Sequence, residues 1–151
     1  MNDWKNVLIA VDDTSTSDKG IEYAAHILGR LEDVRIRLLH IFPEPPPDYY
    51  SSGGSLTEYK EQQHRSASDL LDRSEAMLMD FGLPEQAIRR DIRMAERKTI
   101  SQAILEVQEE GNFGTVVIGK RGLSKAEEFL FGSISNALVH HVRNCTVWVV
   151  G

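Results

Sequence analysis

Short apolar runs alternate with stretches of helical periodicity along most of this chain. Val7 to Val11 (VLIAV) is continuous and rich in β-branched residues, the pattern of a strand covered on both faces. The polar cluster DDTSTSD follows and offers several helix N-caps, after which Ile21, Ala24, Ala25, Leu28 and Leu31 recur at steps of three and four. Ile36 to Phe42 (IRLLHIF) restores a strand. From Leu56 a long helix is predicted, with Tyr59, Gln63, Ala67, Leu70, Ser74, Met77 and Phe81 on one stripe and Gly82 and Pro84 ending it. AIRRDIRM sets Ile88, Arg90, Ile92 and Met94 against Arg89, Asp91 and Arg93, which reads as an outer strand. Ile100, Ala103, Ile104 and Val107 give the next helical face, closed by Gly111, and TVVIG is again a fully apolar strand. A last helix runs from about Ser133 to Arg143, with Ile134, Ala137, Leu138 and His141 on one side, and CTVWVV closes the pattern as a strand.

Strands separated by helices imply a doubly wound α/β fold: a five-stranded parallel sheet with helices on both faces and right-handed crossovers. Apolarity makes the first and fourth strands interior and the third an edge, giving the order 3-2-1-4-5. In that order the chain reverses direction between strands one and four, and ligands of such sheets sit at the C-terminal ends of the flanking strands. Those ends are Asp12 and Gly119.

The connection after strand two breaks the pattern. PEPPPDYYSSGGS, Pro43 to Ser55, places prolines where no backbone N–H can be donated and reads as a flexible surface excursion. Tyr49 and Tyr50 could close over a ligand or coat the linker, and the second is the expectation. SSGGS superficially matches the loop of ATP pyrophosphatases, but it does not follow the first strand and lacks the aspartate.

Composition then narrows the function. The chain has 151 residues, which fits one domain spanning 1–151, and its net charge of -6 opposes general attraction to nucleic acid or anionic lipid. A lone Cys145, no signal-peptide pattern and no apolar run of about 20 residues make a cytoplasmic protein the expectation. His140 and His141 point about 100° apart on a helix and cannot chelate one ion together. His26, His40 and His64 have no Cys or carboxylate at ligand spacing, and no nucleophile and base pair can be assembled from the sequence.

The candidate chemistry lies in VVIGKRGLSKAEEFLFGSISNALVHHV. Gly119-x-x-Gly122, nine residues, then Gly132-Ser133 can be turn glycines with a serine N-cap, or a loop whose open N–H groups and helix N-terminus seat phosphates. Spacing alone does not choose. Arg121 stands where a Walker A loop needs Ser or Thr, so ordinary P-loop hydrolysis is not expected.

The same spacing is similar to the G-2x-G-9x-G(S/T) nucleotide motif of the universal stress protein family, and NVLIAVDDTSTS resembles that family's opening strand and acidic turn. The resemblance extends through LLHIF to the terminal VWVV. It implies the adenine nucleotide alpha hydrolase-like, Rossmann-like form of the fold, and ATP with Mg²⁺ as ligand. Asp12 would then bind near the ribose and Ile41 would meet adenine through its backbone. Gly119, Gly122, Gly132, Ser133 and Ile134 would surround ribose and phosphates. It also implies homodimers through the last strand, Thr146 to Val150. The leading expectation is an ATP-binding stress or regulatory module with an unidentified protein partner. The alternatives are a slow ATP hydrolase or nucleotide-transforming enzyme, and a structural dimer module with a vestigial loop.

Overall fold

The computed structural model describes residues 1–120 and 133–151. Along the chain run β1 (Asn6–Ala10), α1 (Ser15–Leu28), β2 (Arg35–Pro43), α2 (Pro47–Ser51), α3 (Leu56–Asp80), β3 (Ile88–Ala95), α4 (Ile100–Glu110), β4 (Thr115–Gly119), α5 (Ser133–His141) and β5 (Thr146–Val150). All strands are parallel and lie in the order β3-β2-β1-β4-β5, as the apolar pattern requires.

Period-two alternation along the buried strands divides the interior into two layers. Val7, Ile9, Ile36, Leu38 and Val117 face α1 and α3, with Ile21, Leu28, Leu71 and Leu78 opposite them. Leu8, Leu39, Ile41, Val116 and Ile118 face the other way, against Ile104, Val107 and Leu138 of α4 and α5. Burying both faces is what makes VLIAV and TVVIG apolar throughout. β3 is different. Arg90 reaches across to Asp72 and Glu75 of α3, while Arg93 binds Asp91 and Glu110, and Arg37 lies 3.6 Å from Asp91.

Helix starts follow side-chain capping. Thr14 accepts from Ser17 N at α1 and Ser55 from Glu58 N at α3. At α4, Thr99 and Gln102 exchange side-chain and backbone bonds in a capping box. Gly82, at φ 106°, turns the chain after α3 in a region that side chains other than glycine avoid.

Three local expectations change. Leu31 lies beyond the end of α1 and is exposed, because the helix stops at Leu28 and Gly29. His141 is exposed at the end of α5, so the inward face of that helix stops at Leu138, with Val142 packed just beyond it. The excursion is also more ordered than its composition suggested. Pro47 opens the short helix α2, since its missing N–H is not needed at a first helical position. Tyr49 stacks on Tyr59 at 5.4 Å, Tyr59 packs on Phe42, and the Tyr59 hydroxyl donates to the Pro43 carbonyl at 2.5 Å. Tyr49 thus ties the excursion to α3, and Tyr50 remains the exposed ring.

Candidate functional site

The C-terminal ends of β1 and β4 meet at the reversal of the sheet, and the chain leaves them as the β1–α1 loop and the segment leading to α5. Asp12 ends the first of these. One of its carboxylate oxygens accepts from both the backbone N–H (2.8 Å) and the hydroxyl (2.5 Å) of Thr14, and its own N–H donates to the Ser17 hydroxyl. These bonds fix the acidic turn and cap α1 with groups of its own sequence. The start of α1 is therefore occupied by a carboxylate and two hydroxyls and is a poor seat for phosphate. Asp13, by contrast, is exposed.

Gly119 has a structural duty besides any contact with ligand. A Cβ there would lie 2.9 Å from the Thr16 carbonyl carbon and oxygen and 3.1 Å from Ser17 N, so the end of β4 touches the backbone of α1 directly. Its conformation carries no positive φ; close approach is the reason for glycine. Gly119→Ala is expected to push α1 off β4 and to lower stability by about 1–3 kcal/mol. Urea unfolding without nucleotide measures this, and an unchanged midpoint would show that the two elements separate freely.

Ile41 lies on β2 two residues beyond its last paired position with β1. In a parallel ladder the N–H and C=O of one residue point to the same side, and alternate residues point to alternate neighbours. Arg35 N donates to Lys5 O and Val11 N donates to Leu39 O, so the odd-numbered residues of β2 face β1. Ile41 is the next of that set. β1 has ended, and among the described residues no backbone bond joins Ile41 to Val11 or to the loop after it. The carbonyl that an unbroken ladder would offer, Val11 O, instead lies 2.8 Å from Nδ1 of His40. A buried residue therefore presents a donor and an acceptor side by side at the open end of the sheet.

An apolar seat lies on the α4 and α5 side of the same edge. Ala10, Ile100 and Ile134 are only partly buried, and they pack onto the cluster containing Ile41, Ala95 and Ile104. Ile100 opens α4 and Ile134 lies in the first turn of α5, so both stand at the C-terminal edge of the sheet.

The fold thus gathers Asp12, Ile41, Gly119, Ile134 and the start of α5 at one edge. Gly122 and Gly132 lie outside the described residues, as does the side chain of Ser133. His40 was overlooked as a site residue because the sequence shows no partner for it; the partner is a backbone carbonyl on another strand. Elsewhere, burial pushes the Cys145 thiol up to about 11, which leaves little thiolate near neutrality. Among the described residues no group of three or more His, Cys, Asp or Glu side chains could hold a metal. No helix among them is long and apolar enough to cross a membrane.

The model of the universal stress protein family matches residues 3–151. The chain belongs to that family. A universal stress protein of Synechocystis is 23% identical over 158 aligned positions, covering 97% of both chains. Among solved structures, the universal stress protein UspA from Lactobacillus plantarum superposes with a TM-score of 0.79 at 17% identity, covering 98% of each chain. A universal stress protein in complex with cAMP gives a TM-score of 0.65 at 16% identity, covering 97% of this chain and 95% of that one. The Archaeoglobus fulgidus protein in complex with dAMP gives 0.63 at 17% identity, covering 97% of each. At these identities the superpositions establish the shared fold of the universal stress proteins.

Proposed function

We propose that this universal stress protein binds ATP at the C-terminal edge of β1, β2 and β4, and acts as a nucleotide-dependent regulatory module. The observation that carries the reading is that, among the described residues, no backbone bond joins Ile41 to the end of β1 or the loop after it, beside an apolar seat. An adenine edge offers an acceptor and a donor side by side, and its ring fills the space over Ala10, Ile100 and Ile134. Asp12 stands at the end of the adjacent strand, where a ribose would lie. Phosphates would then extend toward Gly119, Gly122, Gly132 and Ser133, where the N-terminus of α5 favours anions. The two family structures with cAMP and dAMP bind adenine nucleotides and support the ligand class. Mg²⁺ would enter with the phosphates, since no ready-made cluster of ligating side chains is present among the described residues.

Residues 1–151 are read as one domain of a cytoplasmic protein that pairs with a second copy through β5. ATP bound only by the folded chain, at about 100 times its Kd, adds about 2.7 kcal/mol of stability. For a chain of this size the melting temperature should rise by roughly 5 to 10 °C. No shift with millimolar ATP and Mg²⁺ would leave the vestigial-loop alternative, and release of phosphate over time would favour the hydrolase.

A further inference from the structure

We infer that His40 is a positioning residue, whose side chain holds the Val11 carbonyl out of the ladder and thereby keeps the Ile41 backbone open for the nucleotide base. The role in binding rests on the proposed function; the role in the ladder does not. A carbonyl only accepts, so the 2.8 Å contact requires the proton on Nδ1 of His40. Register continues from Ala10 opposite Leu39, which places Val11 opposite His40. From there the imidazole reaches its neighbour directly. The two N–H groups beside that carbonyl are already assigned: Val11 N donates to Leu39 O, and Asp12 N to the Ser17 hydroxyl. Of the groups that could extend β1–β2 pairing by one step, the Val11 carbonyl is the one that would take Ile41 N–H. His40 takes that place. It satisfies the carbonyl at the point where the chain turns into α1, and the Ile41 N–H and C=O stay exposed to a ligand rather than to the sheet.

The same bond fixes the peptide that leads into Asp12. With Ser17 on the following N–H and Thr14 on the carboxylate, Asp12 is held on both sides of its Cα. His40 therefore couples the two candidate recognition elements, the backbone of Ile41 and the carboxylate of Asp12. Neither Asp91 nor any other charged group is needed for this, because the imidazole bonds a backbone carbonyl.

The test compares His40→Leu, which removes the donor, with His40→Asn, whose amide nitrogen occupies nearly the position of Nδ1. His40→Gln keeps polarity and bulk but moves its donor one bond outward, and serves if the leucine variant folds poorly. Amide hydrogen exchange is followed by NMR on the unliganded chain, and affinity for ATP and GTP is measured by calorimetry. In the wild type the Ile41 amide should exchange much faster than that of Leu39. In His40→Leu or His40→Gln the freed Val11 carbonyl should capture it and slow its exchange at least about tenfold, while ATP affinity and preference for ATP over GTP each fall by about tenfold. His40→Asn should restore both. Slow exchange of Ile41 in the wild type, or exchange unchanged in both the leucine and the glutamine variant, would overturn the inference. Exchange that responds as expected in a chain that binds neither nucleotide would instead sink the proposed function and leave the ladder role standing. Loss of affinity with an unaltered ATP to GTP ratio would reduce His40 to a packing residue.

Discussion

Gly132→Val is expected to weaken ATP binding by at least about hundredfold, the largest effect of any single substitution in this chain. The residue immediately precedes α5, whose first helical position is Ser133. The first N–H groups of a helix have no partner within it and, with the helix dipole, form the natural seat for a phosphate. At α1 the Ser17 N–H is already capped by Thr14 and the Asp12 carboxylate stands beside it, so the proposed site puts the anion at α5 instead. A branched side chain before Ser133 would stand in the path of the phosphate. Ser133→Ala removes one hydroxyl and should cost only about fivefold. Calorimetric titration separates the two, and equal affinity in Gly132→Val and wild type would take the glycine motif out of the site. Stability without nucleotide should be the readout for Gly119 and affinity the readout for Gly132, although the two glycines belong to one spacing pattern.

Val149→Lys should weaken self-association at least about hundredfold, enough to convert a dimer at tens of micromolar into monomer. β5 is an outer strand, and no strand among the described residues pairs with its far side. Its flanks are apolar on both faces of the sheet. Val149 is 41% exposed and Val139 of α5 57%, while on the other face Tyr23 of α1, 52% exposed, packs edge-on against Trp148 at 6.2 Å. The opposite edge carries Arg89, Arg90, Asp91 and Arg93, and two-fold pairing there would oppose like charges. A second copy meeting this one through β5 would pair the open ladder and cover these side chains. Analytical ultracentrifugation gives the association constant. A wild-type monomer at tens of micromolar would remove the interface, and a dimer unaffected by Val149→Lys would place it elsewhere.

The strand order could be read from the chain because the hydrophobic effect writes burial into composition. A strand covered on both faces, such as VLIAV, has no polar position, and an edge strand, such as IRRDIRM, mixes charged with apolar ones. The reversal point followed from the order, and with it the location of Asp12 and Gly119. Helix ends were less legible. Leu31 continues the helical spacing, but spacing does not register where the cap stops α1, and His141 lies in the last turn of α5 yet is exposed. The proline-rich excursion misled for a related reason. Composition reports that Pro43 to Pro47 donate few hydrogen bonds, whereas the ordering of this segment comes from Tyr59, contributed by a different helix.

By itself the sequence determined the two-layered parallel sheet, its order, the edge at which a ligand would sit and the glycine spacing that marks the family, since each depends on local periodicity or residue type. Tertiary structure alone decided that Gly119 is required by the backbone of Thr16 and that His40 rather than Ile41 meets the Val11 carbonyl, whereas the capping of α1 by Thr14 follows from the polar cluster itself. Those two facts join residues 103 and 29 positions apart, and each depends on one backbone approach or one hydrogen bond that leaves no periodic trace. Burial is a property of many residues at once and survives in the pattern; a single directional contact between strands belongs to the folded chain.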